Sequence, residues 1–155
     1  MMARPLVAMI ALATLLPISA HARTASPRTT KELVGIITTV AGDGWKDLAS
    51  RSRVDGRFAG DGGPAIKASL WSPGGVAVGP DGSIYIADTG NNRIRKVDRK
   101  GIITTVAGDG WRNQTPGIVS SGRFTGDGGP AIKASLNQPA GLAIGHDGSL
   151  YIADS

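Results

Sequence analysis

The chain has 155 residues, of which 41% are hydrophobic and 19% charged, with 23 glycines, no cysteine and a formal net charge of +5. That composition fits a packed, glycine-rich β protein and excludes a disordered tail. The absence of cysteine excludes a disulfide-stapled scaffold and a thiolate metal site.

The chain opens on Met1 to Pro5 with one positive charge at Arg4, continues through an apolar stretch from Leu6 to Leu16, and reaches the small-x-small sequence Ala20-His21-Ala22. This three-part layout predicts a signal peptide over residues 1–22, cleaved after Ala22. Its apolar stretch is far shorter than the roughly 20 residues of a membrane span. The mature chain is therefore expected in the secreted, periplasmic or cell-envelope space, with no membrane span and no nucleic-acid partner. Loss of Arg4 lowers the net charge from +5 to +4. Residues 23–32 are polar and contain Ser26-Pro27, which predicts a flexible leader over 23–34.

Residues 35–42, Gly-Ile-Ile-Thr-Thr-Val-Ala-Gly, read as a strand. A connection of about thirty residues follows, from Asp43 to Ser72, where loops of two to six are usual. Within it, Gly60 to Gly63 followed by Pro64, with Ile66 and Leu70 four apart, predicts a short helix start. Gly60 to Gly63 lacks the spacing of a phosphate-binding loop. The next strands are 75–79, 83–88, 93–98 and 102–107, joined by turns at Pro80-Asp81-Gly82, at Thr89 to Asn92 and at Arg99 to Gly101. Four antiparallel strands in tight succession make a meander. Its first two strands lack polar/apolar alternation, as expected of a sheet covered on both faces. Asp81, Asp88, Asn91 and Asn92 are the natural turn formers. The basic residues Arg93, Arg95, Lys96, Arg99 and Lys100 read as solvated charges guarding an outer strand.

The strongest signal is a repeat. Residues 35–89 and 101–155 align at an offset of 66 without a gap, and 36 of the 55 pairs are identical. Residues 46–55 and 112–121 share no identity, although Asp43-Gly44-Trp45 and Gly56-Arg57-Phe58 on either side recur unchanged. The first copy is 35–100 and the second is 101–155, whose strand 102–107 completes the first blade and whose residues 141–153 supply only the first two strands of another. Self-similarity at a fixed period marks a repeat architecture, here an all-β incomplete propeller of four-stranded blades. The count is one strand, then four, then two, which is fewer than two blades. Such a chain reads as a fragment of a longer reading frame, a truncated product, or a unit that completes itself by oligomerising. Leu150 to Ala153 would then be an unprotected edge open to self-association.

The sequence from Pro73 to Asp88, followed by Asn91-Asn92-Arg93-Ile94-Arg95, resembles the NHL repeat. The recurring Gly60 to Ala65 and Ile-Ile-Thr-Thr-Val-Ala-Gly segments resemble the NHL repeats of teneurins and of exported bacterial proteins. The resemblance implies a β-propeller and does not imply a reaction.

Alternating strand direction puts the Pro80 to Gly82 and Asp98 to Gly101 turns on one face and the Thr89 to Asn92 turn and the long connection on the other. Long ordered loops often carry function. The candidate binding residues are therefore Trp45, Arg57, Phe58, Asp61, Asp88, Asn91 and Asn92, with Trp111, Arg123, Phe124 and Asp127 from the second copy. Trp45 and Trp111 read either as aromatic platforms for a ligand or as local packing over loop backbone. Asp43, Asp61 and Asp88 lack the Asp-x-Asp-x-Asp run of a calcium loop. With His21 leaving in the leader, His146 alone builds neither a multi-histidine zinc site nor a serine-histidine-aspartate triad. No catalytic residue, metal or cofactor is expected. The sequence favours a binding or structural module for a protein or an envelope glycan. The rivals are a lyase or hydrolase fragment whose catalytic residues lie elsewhere, and a product without function.

Overall fold

The computed structural model describes residues 36–44, 58–112 and 123–155. The expected signal peptide and leader, Trp45, Arg57 and all of the variable stretches except Arg112 lie outside them.

The architecture is all-β, as expected. Strands β1 (Val76–Val78), β2 (Ile84–Asp88), β3 (Arg93–Val97) and β4 (Ile103–Ala107) form one antiparallel meander in sequence order. Strands β5 (Gly141–Ile144) and β6 (Leu150–Ala153) begin a second sheet of the same design. Ala65–Lys67 and Ala131–Lys133 are single 3-10 turns, so the expected short helix forms and stops after one turn in both copies. Of the expected strands, 35–42 does not form. Its described residues have no ladder partner among the described residues, and Ile36 stands 87% exposed. The identical sequence does form β4, because there β3 supplies the hydrogen bonds. A strand is a property of a pair, and β-propensity alone does not make one.

Each face of the four-stranded sheet is covered. On one, Ala65 and Ala68 of the long connection pack on Ile86, Val97 and Ile103. On the other, Ala87, Ile94 and Ala107 meet Leu136, Leu142, Leu150 and Ile152 of the second copy. This second contact is the stacking of one blade on the next. It explains why alternation fades in β2, where both the odd and even positions face apolar cover.

The glycine-rich segment has a role that the sequence did not suggest. Gly62 N donates to Ile103 O (2.8 Å), Ile103 N to Gly63 O (3.0 Å) and Ala65 N to Gly101 O (2.8 Å), so residues 62–65 run along the outer edge of β4. The edge is shielded by this backbone. The basic run does not do it: β3 is an interior strand, Arg95 is fully buried and Arg93 half-buried. Only Arg99 and Lys100 of that run are fully on the surface.

Candidate binding face

The long connection begins with the same joint in both copies, after residues 36–41 in the first and after β4 in the second. Gly42 N donates to Ala65 O and Asp43 N to Ala68 O, at 3.0 and 2.9 Å; the second copy repeats this with Gly108 N to Ala131 O and Asp109 N to Ala134 O, at 3.0 and 2.8 Å. The aspartate then accepts from a serine hydroxyl, Ser69 to Asp43 at 2.6 Å and Ser135 to Asp109 at 2.8 Å. Backbone amides and a hydroxyl therefore hold Asp43 and Asp109. The Asp109 carboxyl lies below the usual carboxylate range: burial pushes it up, and the Trp111 N–H, the Ser135 hydroxyl and Arg123 together pull it down.

Register decides the fate of the arginines. Ile86 pairs with Arg95 and Asp88 with Arg93, so both arginines share the sheet face that carries Ile86, Val97 and Ile103. That face is apolar at its hairpin-turn end and ionic at its long-loop end. Arg95 is 0% exposed there, and a charge so placed needs partners. Its Nε and Nη2 donate to Asp61 Oδ1 at 3.0 and 2.7 Å, and Nη1 donates to Asp88 Oδ2 at 3.3 Å. Asp61 Oδ2 accepts from Thr105 N at 3.1 Å, which ties the long connection to β4. Phe58 lies against both guanidinium groups, 3.9 Å from Arg93 and 4.6 Å from Arg95. Burial pushes the Asp88 carboxyl up, while the Trp71 N–H, Asn91 and Arg95 oppose that shift. Burial, then the neighbouring Arg95 charge, pulls the Arg93 guanidinium down.

Asn91 and Asn92 are interior residues. Asn91 Nδ2 donates to Asp88 Oδ2 at 2.9 Å. Asn92 adopts the left-handed conformation, φ 51°, which an asparagine tolerates. Its Nδ2 donates to Trp111 O and its Oδ1 accepts from Gln138 N, both at 2.9 Å. Asn92 therefore joins the turn of one blade to the loop and second copy beyond it. Of the nine candidate residues among those described, Phe58, Asp61, Asp88 and Asn91 are linked through Arg95 and Asp88, and Asn92 follows them in the turn with partners of its own. Asp88, Asn91 and Asn92 are buried, Phe58 is half-buried, and the Asp61 side chain is 36% exposed.

The remaining four are on the surface. Trp111 is 37% exposed, and the Arg123 guanidinium lies 4.9 Å from its ring centre. Phe124 is 72% exposed, and Asp127 is exposed beside it. A further pair was missed by the sequence reading: Arg112 stacks at 4.7 Å on Trp71. Trp71 gives way to Asn137 in the second copy, and Arg112 is the first residue of the variable stretch. An aromatic at a position where the copies differ was the available signal. The face thus carries two indole–guanidinium stacks, and both tryptophans contact the Thr89 to Asn92 turn, Trp71 at Gly90 and Trp111 at Asn92. No group of three or more histidine, cysteine, aspartate or glutamate side chains could hold a metal ion among the described residues, and His146 is exposed in the β5–β6 turn.

Residues 20–124 match the family model of the teneurin NHL domain. Human teneurin-4 (Homo sapiens) is 42% identical over 93 residues, which is 58% of this chain and 3% of that protein. Teneurin-1 of Gallus gallus is 37% identical over 128 residues, 81% of this chain and 4% of the relative. The Arabidopsis thaliana protein SUPPRESSOR OF QUENCHING 1, chloroplastic, is 34% identical over 101 residues, 64% of this chain and 8% of its own. Among solved structures, a protein of unknown function from Bacteroides thetaiotaomicron superposes with a TM-score of 0.54 at 24% identity, covering 78% of this chain and 25% of that one. The chain thus spans a small part of each relative's length, and the structural likeness bears on the fold alone.

Proposed function

Since the chain belongs to the teneurin NHL domain family, we propose that it acts as an exported, non-catalytic binding module of an incomplete β-propeller, engaging a protein or an envelope glycan through its long-loop face. The observation that carries this reading is the exposed Trp111–Arg123 stack, which brackets the stretch where the two copies share no residue. An aromatic ring held by a cation offers a rigid amphipathic contact at low entropic cost. Trp71–Arg112, Phe124, Asp127 and the exposed edge of Asp61 extend the same surface. The buried Asp88, Asn91 and Asn92 and the half-buried Phe58 hold its shape, and Trp45 and Arg57, outside the described residues, are included in the proposal from the sequence repeat alone. Export through residues 1–22 supports an extracytoplasmic partner. β6, which pairs with β5 alone among the described residues, offers a route to self-association.

The test is affinity capture by the secreted chain from envelope and culture fractions. Replacing Trp45 and Trp111 by alanine should abolish capture while the circular dichroism spectrum is unchanged. Capture that survives in a folded double variant excludes this face. N-terminal sequencing of the exported protein should begin at Arg23; a retained Met1 removes the export premise.

A further inference from the structure

The opposite end of the blade carries a second surface made of different residues. The β1–β2 and β3–β4 turns lie side by side there and enclose an open concavity of about 410 Å3, lined by Asp81, Ser83, Lys96, Asp98, Arg99 and Lys100. We propose that this concavity binds a carboxylate group of an acidic polysaccharide, with Arg99 as its principal contact and Lys100 as the supporting charge.

The argument starts from which charges are already committed. Asp81 Oδ1 accepts from Ser83 N at 3.0 Å, and its Oδ2 from Ser83 Oγ at 2.8 Å and Lys96 Nζ at 3.1 Å. Asp98 Oδ1 accepts from Lys100 N at 2.8 Å and Ile102 N at 2.9 Å, which holds the β3–β4 turn. Both carboxylates therefore serve the fold. None of the ion pairs among the described residues includes Arg99 or Lys100. Two cations with no acidic partner among the described residues thus border a concave surface.

The Arg99 head group is also placed. A Cβ at position 82 would lie 3.0 Å from Arg99 Nε and 3.2 Å from its Nη2, so the guanidinium rests on the bare backbone of Gly82, whose φ of +77° already calls for glycine. A guanidinium seated in this way loses less freedom on binding, and its fork of N–H donors matches a carboxylate bidentately.

Charge balance selects the ligand class. Three cations and two carboxylates leave the concavity at about +1, which suits isolated single negative charges. Two acidic groups in the wall repel the dense phosphates of a nucleic acid, and no lining ring is present to stack a base. No lining side chain is an apolar residue that could insert into a bilayer. A uronate polymer, with its charges spaced one per sugar, fits what remains. The second copy repeats the acidic half of the site, with Asp147 accepting from Ser149 N at 2.9 Å and Ser149 Oγ at 2.7 Å, but has no basic turn beside it among the described residues.

The experiment is titration of the full chain with polygalacturonate at low and at physiological ionic strength, read by calorimetry. Saturable binding is expected. Arg99→Ala with Lys100→Ala should weaken it about tenfold or more, the loss of charge-assisted hydrogen bonds. Lys67→Ala with Lys133→Ala, a control of equal net charge at two exposed lysines, should change it less than about twofold. Trp111→Ala should leave it unchanged, which separates this site from the long-loop face. Circular dichroism establishes that each variant is folded. The proposal is overturned by no saturable binding of the wild-type chain, by equal losses in the two double variants, or by preference for phosphatidylglycerol vesicles or single-stranded DNA over polygalacturonate.

Discussion

Replacing Arg95 with methionine probes the interior of the blade directly. Methionine keeps most of the aliphatic stem and adapts to its surroundings, so little of the effect should come from a cavity. What disappears is the cation between Asp61 and Asp88, together with its contact at 4.6 Å to Phe58. Asp88 is 0% exposed and would keep only the Trp71 N–H, at 2.7 Å, and the Asn91 amide, at 2.9 Å. Removing one partner of a buried ion pair costs about 3–5 kcal/mol. With a urea slope of about 2 kcal/mol per molar, the unfolding midpoint should fall by about 2 M at unchanged slope, followed by tryptophan fluorescence. Adding Asp88→Asn should recover part of the loss, since the stranded charge is then gone. The pH dependence follows from the sign of the Asp88 shift. Its folded pKa already lies above 3.8, so ionisation opposes folding, and loss of Arg95 strengthens that opposition. The deficit of the Arg95 variant should therefore shrink as pH falls through the raised folded value. A loss under about 1 kcal/mol, or strict additivity with Asp88→Asn, would falsify the reasoning.

Three further outcomes are expected. Asp81 is held down to about 2, chiefly by the Ser83 backbone N–H and hydroxyl, so its folded value lies below the ordinary 3.8 and its contribution is complete above about pH 4 and lost as pH falls through about 2. Asp81→Asn should accordingly flatten the stability profile between those limits in acid unfolding, and a profile parallel to wild type would contradict this. Gly90→Ala should lower stability by about 1–3 kcal/mol, because a Cβ there would lie 2.5 Å from Trp71 Cδ2 and must displace the indole; an unchanged melting temperature would show that the indole has room to move. Asn92→Ala should destabilise by about 2 kcal/mol and accelerate hydrogen exchange at the Gln138 amide, its partner at 2.9 Å, whereas unchanged exchange would mean that another group holds that amide.

The strands of the complete blade were legible from apolar runs and turn residues, and their observed limits lie within two residues of those expected. The division of turns between the two ends was legible too, since strand direction alternates. Two features were not. Residues 35–42 carry the sequence of β4 but find no ladder partner among the described residues, and no inspection of one segment reveals whether its partner is present. Arg95 sits in a run of basic residues that reads as surface. Its burial depends on pairing with Ile86 and on an aspartate 34 residues away, facts of register and tertiary contact. The candidate face divided on the same ground. Asn91 and Asn92 were recognised as turn formers, but their side chains turn inward, Asn91 to Asp88 and Asn92 to Trp111 and Gln138, which a turn motif does not announce.

The glycine-rich segment that runs along β4 makes the sequence period and the mechanical unit different things. A cut at the repeat boundary, between Lys100 and Gly101, would separate β4 from the three strands it completes and from residues 62–65, which hydrogen-bond to its start at Gly101 and Ile103. The joint that recurs intact comes later, at Asp109, after β4 has been enclosed. Anyone transplanting or permuting these units should therefore take the chain from one such joint to the next. Lengths counted from Gly35 or Gly101 would give a fragment with one strand too few and a roof with nothing beneath it.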